Sequence, residues 1–317
     1  MTKQSLFIFN SSMKRFLLLI SVFSLVLILI SYPLSYFLDR EYSLDKKQNW
    51  ILSLKEKKYD YAVLGSSRVY NVFDINTFSA CSNSYGVNIG SSGSSYAESF
   101  LLLREFLKWN TIDTLYLNVD EFSFNSDISY SDPFKEYMFL PMFSDEMVQE
   151  IYADYLPPWK LTLWRWLPLT KYIEFNSEIK FESHSNNSWS NTGGTLLVEG
   201  KMDNTIDGNK EVKQYNIDSR DEKYFRAILE LSRNKEIKVI LIKTPIFDGF
   251  FKNVQGTEEI DKYVIAVANE RSLQFFNYQE FFDSSNRSYF KDVSHTNNLG
   301  SISYTRLLCE SIFYSNN

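Results

Sequence analysis

Asp292-Val293-Ser294-His295, close to the C-terminus, sets a carboxylate three residues ahead of an imidazole. One short loop can present both groups at that spacing. The carboxylate then accepts the Nδ1–H of the ring and leaves Nε2 free to act as a base. The chain has only two histidines, so a His-dependent reaction has little choice of base. The other, His184, lies in a Ser/Asn-rich stretch and reads as exposed. Near the opposite end, Tyr61-Ala62-Val63-Leu64-Gly65-Ser66-Ser67-Arg68 reads as a buried strand ending in a small-residue turn that carries two serines. A serine after a first strand and an Asp/His pair before a last helix are the components of a nucleophilic triad. Each signal alone is common: D-x-x-H arises by chance, and Gly-Ser-Ser is more often a turn or a helix cap. Their order and spacing together carry the expectation.

A chain of 317 residues can bury a sizeable core as one large domain, or as one domain with a big insertion. Its formal net charge of −6, with no basic stripe, argues against nucleic acid as a partner. Cys81 and Cys309 lie far apart and read as buried thiols, with a disulfide between them left open. No C-x-x-C or His/Cys cluster is present, so neither a metal site nor a cofactor is expected.

Phe16 to Leu38 is an uncharged apolar run of about the length that crosses a bilayer. Lys14 and Arg15 precede it, with Lys3 further upstream; Asp39, Arg40 and Glu41 follow. The positive-inside rule keeps the short N-terminus (1–15) in the cytoplasm and places the bulk of the chain outside. The rival reading is a cleaved signal peptide, but the apolar core is long for one and no A-x-A-like site follows it. Tyr32, Tyr36 and Tyr42 suit an interfacial belt, with Trp50 a little beyond.

The elements that must position these residues follow a parallel α/β rhythm. Residues 39–58 read as a charged linker with a helical stretch, 59–65 as a buried strand, and 66–84 as turn-rich. A short strand over 85–90 runs into a Gly/Ser loop, then come an amphipathic helix over 96–109 and a strand over 114–120. From about 122 to 218 the rhythm breaks. Five prolines fall in that stretch, and four of the six tryptophans, three of them within 157–168. It reads as an insertion whose rings form either its own small core or a lid, a glycan-stacking surface or a membrane-facing lip. Helix 220–234, strand 237–242, helix 257–271, strand 273–278 and helix 298–314 complete the pattern. In such a sheet the loops at the carboxyl ends of the strands converge on one crevice. Ser66/Ser67, Gly90 to Ser95, Asn118/Asp120 and Asp292/His295 all fall on that edge.

With these residues in view, the chain resembles the SGNH (GDSL-type) hydrolase superfamily over roughly 59–121 and 220–315. Gly65-Ser66-Ser67 corresponds to the first block, and Ser67 aligns with the nucleophile. Asn88-Ile89-Gly90-Ser91-Ser92-Gly93 corresponds to the second, with Gly93 the best match to the glycine whose amide serves the oxyanion hole. Asp292 and His295 match the last block. The G-S-S-R form, the D-V-S-H-T-N-N-L-G run and the N-terminal apolar segment are more similar to the membrane-tethered branch that includes DltD-like envelope acyl-transfer proteins. The third block, G-x-N-D, is not reproduced: Leu117-Asn118-Val119-Asp120 puts Asn118 out of its place. Either Asn118 substitutes as an oxyanion donor or the hole has backbone donors only.

The resemblance implies an α/β, SGNH-like three-layer fold with a central parallel sheet over 59–317, interrupted at about 122–218 and preceded by one transmembrane helix (16–38). It implies a membrane-anchored, extracytoplasmic serine acyltransferase or esterase acting on acyl esters of a cell-envelope glycan. Ser67 would be the nucleophile, His295 the base and Asp292 its orienter. Arg68 would either bind an anionic group or pair with a structural acid, and Ser66 would be a turn residue. The alternative is a non-catalytic partner subunit docked to an integral membrane acyltransferase.

Overall fold

The computed structural model describes residues 11–41, 46–124, 139–173, 188–202, 212–279 and 281–313. His184, Lys3 and Tyr42 lie outside the described residues. The described residues form two compact units, one combining 11–41 with 139–173 and the other holding the remainder.

The larger unit is built on five parallel strands: β1 (Lys58–Leu64), β2 (Gly86–Asn88), β3 (Thr111–Asn118), β4 (Lys238–Lys243) and β5 (Gln274–Asn277), in the order β2-β1-β3-β4-β5. A parallel sheet is covered on both faces, so its strands read as near-continuous apolar runs; β1 is buried from Tyr61 to Leu64 and β4 from Val239 to Lys243. Alternate side chains sort to the two faces. Tyr61, Val63, Tyr116, Ile240 and Ile242 join one core with Phe78 of Ile75–Ser82 and with Tyr304, Leu308 and Cys309 of Asn298–Phe313. Ala62, Leu64, Leu115, Leu117 and Leu241, all fully buried, belong to the other face. There the helices Tyr96–Phe106 and Ser219–Asn234 pack together, with the rings of Tyr96 and Phe225 5.2 Å apart.

Local signals set the helix ends. Ser95 and Glu98 form a capping box at Tyr96–Phe106, worth about 1 kcal/mol. Ser219–Asn234 is capped by Asp218, has Asp221 and Glu222 in its first turn, and Arg233 in its last, all favourable to the helix dipole.

One segment differs from the sequence expectation. Residues 66–84 are not mainly turns: they hold a single helical turn at Ser67–Tyr70 and the helix Ile75–Ser82. The polar residues that mimic turn markers are helix ends, with Asp74 accepting from the amides of Asn76 and Thr77 and Asn83 closing the other end at φ +50°. The helical stretch expected within 39–58 is Lys46–Ser53, a helix of the larger unit with Trp50 and Ile51 buried and Gln48 Nε2 donating to Ser91 Oγ at 2.7 Å. Cys81 and Cys309 are joined in a disulfide that ties Ile75–Ser82 to the last helix.

The smaller unit starts with the helix Ser11–Glu41, long and apolar enough to cross a membrane, with a mean hydropathy of 2.6 in its most apolar window. The insert residues of this unit form the helices Glu146–Tyr155 and Pro158–Trp166, flanked by single 3-10 turns at Leu140–Met142 and Pro168–Tyr172. They have their own core of Phe143, Tyr152 and Trp164, whose rings meet edge to face at 5.3–5.8 Å.

Candidate active site

The strand register brings the carboxyl ends of the strands level: Val63 pairs with Asn88, Leu64 with Leu117, Asn118 with Ile242, and Lys243 with Asn277. β1 leaves the sheet through Gly65 at φ +152°, where a Cβ would lie 2.8 Å from Asn118 Cβ. Only glycine accepts that conformation and that approach together. Ser66 then caps the turn Ser67–Tyr70, and Ser67 is its first residue. The expectation that Ser66 belongs to the turn matches this placement. Its Oγ also donates to Asp120 Oδ2 at 2.9 Å.

The last loop is closed by an antiparallel bridge between Phe290 and Thr296 and by Lys291 N donating to His295 O at 3.0 Å. Inside it, Asp292 Oδ1 accepts from the amides of Ser294 and His295, both at 2.9 Å. An Asp that folds its own loop this way is held in one rotamer. His295 Nδ1 lies 2.9 Å from Asp292 Oδ1 and 3.0 Å from Oδ2, and Nε2 lies 2.9 Å from Ser67 Oγ. A carboxylate beside Nδ1 selects the Nδ1–H tautomer, so Nε2 accepts the Ser67 hydroxyl. Burial alone would raise the Asp292 pKa. The bond from His295 and that from Ser294 outweigh it and lower the carboxyl to about 2. Ser67, Asp292 and His295, 228 residues apart at the extremes, are thus joined in one hydrogen-bonded chain.

They line a cavity of about 450 Å³ together with Asn71, Ser92 and Gly93, a size suited to a small-molecule group. Gly93 is in the left-handed region at φ +69°. Asn118 is elsewhere. It is fully buried, its Nδ2 donates to Asp120 Oδ2 at 2.7 Å, and its Oδ1 accepts from the Thr244 amide at 3.3 Å. The second bond ties the end of β3 to the residue after β4, and the side chain is not part of the cavity wall.

Arg68 has the structural acid that the sequence left open. Its Nη1 lies 3.3 Å from Glu121 Oε2, with both side chains buried, and its Nη2 donates to the Thr244 carbonyl. Lys243 Nζ lies 2.7 Å from the other Glu121 oxygen and 2.6 Å from Asp261. Burial would raise the Glu121 pKa, but the two cations lower it below the ordinary carboxylate value. Sequence reasoning missed this network behind Ser67. A lysine ending the apolar run Val239-Ile240-Leu241-Ile242, and an Asp120-Glu121 pair just past β3, were the signals available.

Neither a family model nor a curated protein matches the chain. Solved structures similar to it include a GDSL-like lipase from Bacteroides thetaiotaomicron, at 13% identity and a TM-score of 0.40, covering 85% of this chain and 98% of that one. Another is an acetyl xylan esterase from the rumen bacterium Butyrivibrio proteoclasticus, at 11% identity and a TM-score of 0.35, covering 82% of this chain and 64% of that one. Likeness at this level says nothing about chemistry, which rests on the cavity itself.

Proposed function

We propose that the chain is a membrane-anchored serine acyltransferase or esterase of the SGNH type, working outside the cytoplasm on acyl esters of a cell-envelope glycan. The observation that carries this reading is the Ser67–His295–Asp292 hydrogen-bonded chain at the wall of an open cavity. In the mechanism, His295 Nε2 takes the Ser67 proton as Oγ attacks the ester carbonyl. Asp292, ionised throughout, holds the ring and offsets the charge it gains. The amides of Ser67 and Gly93 receive the oxyanion. His295 then protonates the leaving alcohol, and a sugar hydroxyl or water takes the acyl group from Ser67.

Asn118, committed to Asp120 and Thr244, leaves the oxyanion with backbone donors. Removing one such donor costs about 10²–10³ in rate, which suits slow transfer from a delivered donor better than rapid general hydrolysis. The cavity wall mixes Ser, Asn and Lys side chains, which offer partners to a hydroxylated acceptor, with the apolar Phe122 and Val198. The disulfide fits an oxidising compartment.

The test is turnover of small acetyl esters by the purified full chain, with and without an oligosaccharide acceptor. The reading expects acetate release or acceptor acetylation that disappears in Ser67→Ala. Equal rates in the two proteins would favour a non-catalytic partner subunit.

A further inference from the structure

The aromatic insert has a second side that its own core does not use. Within Pro158–Trp166, Lys160, Leu161 and Trp164 are buried in the smaller unit, while Trp159, Leu163 and Trp166 are 65%, 37% and 65% exposed. Positions 159, 163 and 166 stand at i, i+4 and i+7, so the exposed residues form one apolar stripe on one helix face. Two largely bare tryptophans and a leucine in line call for a partner.

The same unit fixes where that stripe lies along the N-terminal helix. From Phe16 to Leu27 the helix is exposed all round. One side is covered from Ile28 onward, through Ser31, Ser35, Leu38 and Asp39, at spacings of three, four, three and one. The insert supplies the cover. Leu169 N donates to Ser31 Oγ at 2.9 Å, Tyr32 OH to the Arg165 carbonyl at 3.1 Å, and Lys171 Nζ pairs with Asp39 at 2.7 Å. Tyr172 OH donates to the same Asp39 carboxylate. A hydrocarbon core of about 30 Å takes roughly 20 helical residues. Counted from Phe16, the first residue past Arg15, the core ends near Ser35. Tyr32 lies in the last turn inside that limit and Asp39 one turn beyond it. The insert helix, joined to Tyr32 through Arg165, therefore runs at the depth of the headgroups.

We infer that the exposed face of Pro158–Trp166 is a membrane-contact surface, with Trp159, Leu163 and Trp166 seated among the headgroups and upper acyl chains of the outer leaflet. The inference rests on the reading of Ser11–Glu41 as a membrane span. Tryptophan suits this depth because its ring is apolar and its N–H finds headgroup acceptors. The stripe has the character of an interfacial amphipathic helix, with Thr162 and Arg165 exposed beside it as polar neighbours. A span and an interfacial helix in one unit give two attachments, which set tilt and rotation as well as depth.

The experiment places the full chain in phosphatidylcholine nanodiscs brominated either high on the acyl chains or near the bilayer centre. Intrinsic tryptophan emission should be quenched by the shallow bromines, and most of that quenching should vanish in Trp159→Phe/Trp166→Phe. Because both native cysteines are bonded to each other, Leu163→Cys and Leu25→Cys each offer one free thiol for an environment-sensitive fluorophore. The label at position 163 should emit in the blue and be quenched by shallow bromines. The label at position 25 should be quenched by deep ones. A quenched label at 25 with an unquenched one at 163 overturns the inference and leaves the span intact. In that outcome a blue emission at 163 assigns the face to a protein or glycan partner, and a water-like emission assigns it to solvent. An unquenched label at 25 overturns the span and this inference with it.

Discussion

In the proposed mechanism Ser67, His295 and Asp292 act as a unit, so their substitutions should not add. Ser67→Ala and His295→Ala should each lower kcat by roughly 10⁴-fold or more, and the double variant should fall little further. Asp292→Asn keeps the shape but spoils the tautomer, and should cost on the order of 10⁴-fold. Steady-state kinetics on an acetyl ester reads all of these. Asp292 also makes a stability prediction with a definite sign. Its pKa is lowered from an ordinary 3.8 to about 2, so its contribution is complete above the ordinary value and is lost as pH falls towards 2. The difference in thermal midpoint between wild type and Asp292→Asn should be widest near pH 6, shrink below about 4, and close towards 2. A gap that widens with acid would show that the carboxylate is not held ionised. Behind the nucleophile, Glu121→Gln leaves the buried Arg68 and Lys243 short of a counter-charge. It should destabilise by about 3–5 kcal/mol in denaturant unfolding.

The elements divide the site between the two ends of the chain. The turn after β1 carries Ser67, and the loop before the last helix carries Asp292 and His295. Gly65→Ala forces a Cβ to 2.8 Å from Asn118 Cβ at a left-handed φ. It should cost about 1–3 kcal/mol and lower activity, because relief of the clash moves Ser67. Cys81→Ser/Cys309→Ser should lower unfolding free energy by about 2–5 kcal/mol, and activity at temperatures where the protein stays folded should change little. The five strands of the central sheet and the helices Tyr96–Phe106, Ser219–Asn234, Thr257–Glu270 and Asn298–Phe313 were legible because their apolar periods are clean and their caps are local. The Ser67/His295/Asp292 site was legible for a related reason: a parallel sheet sends every such loop to one edge. Ile75–Ser82 was not legible, because Asp74 and Asn83 mark helix ends and turns alike. The disulfide pairing and the Arg68–Glu121–Lys243 network were not legible either, since partners far apart in sequence leave no periodic trace. Of the two readings left open for Asn118, its bond to the Thr244 amide just past β4, another long-range contact, bears on the choice and left no trace in the sequence.

At the scale of the whole molecule, the proposed anchor, interfacial helix and acyl-transfer site share one chain. A reporter that is active only after export, fused after Asn317, should be active. Cytoplasmic activity of the complementary reporter would put the cavity on the wrong side of the membrane for envelope chemistry. On this reading Ser67 is an activated nucleophile rather than a serine in a turn. Intact-mass spectrometry of the full chain after exposure to a fluorophosphonate tests it most directly. The predicted result is a single adduct on Ser67, formed in wild type and absent from Ser67→Ala and His295→Ala. Folded wild-type protein that gains no adduct, or gains it at another residue, would contradict the claim.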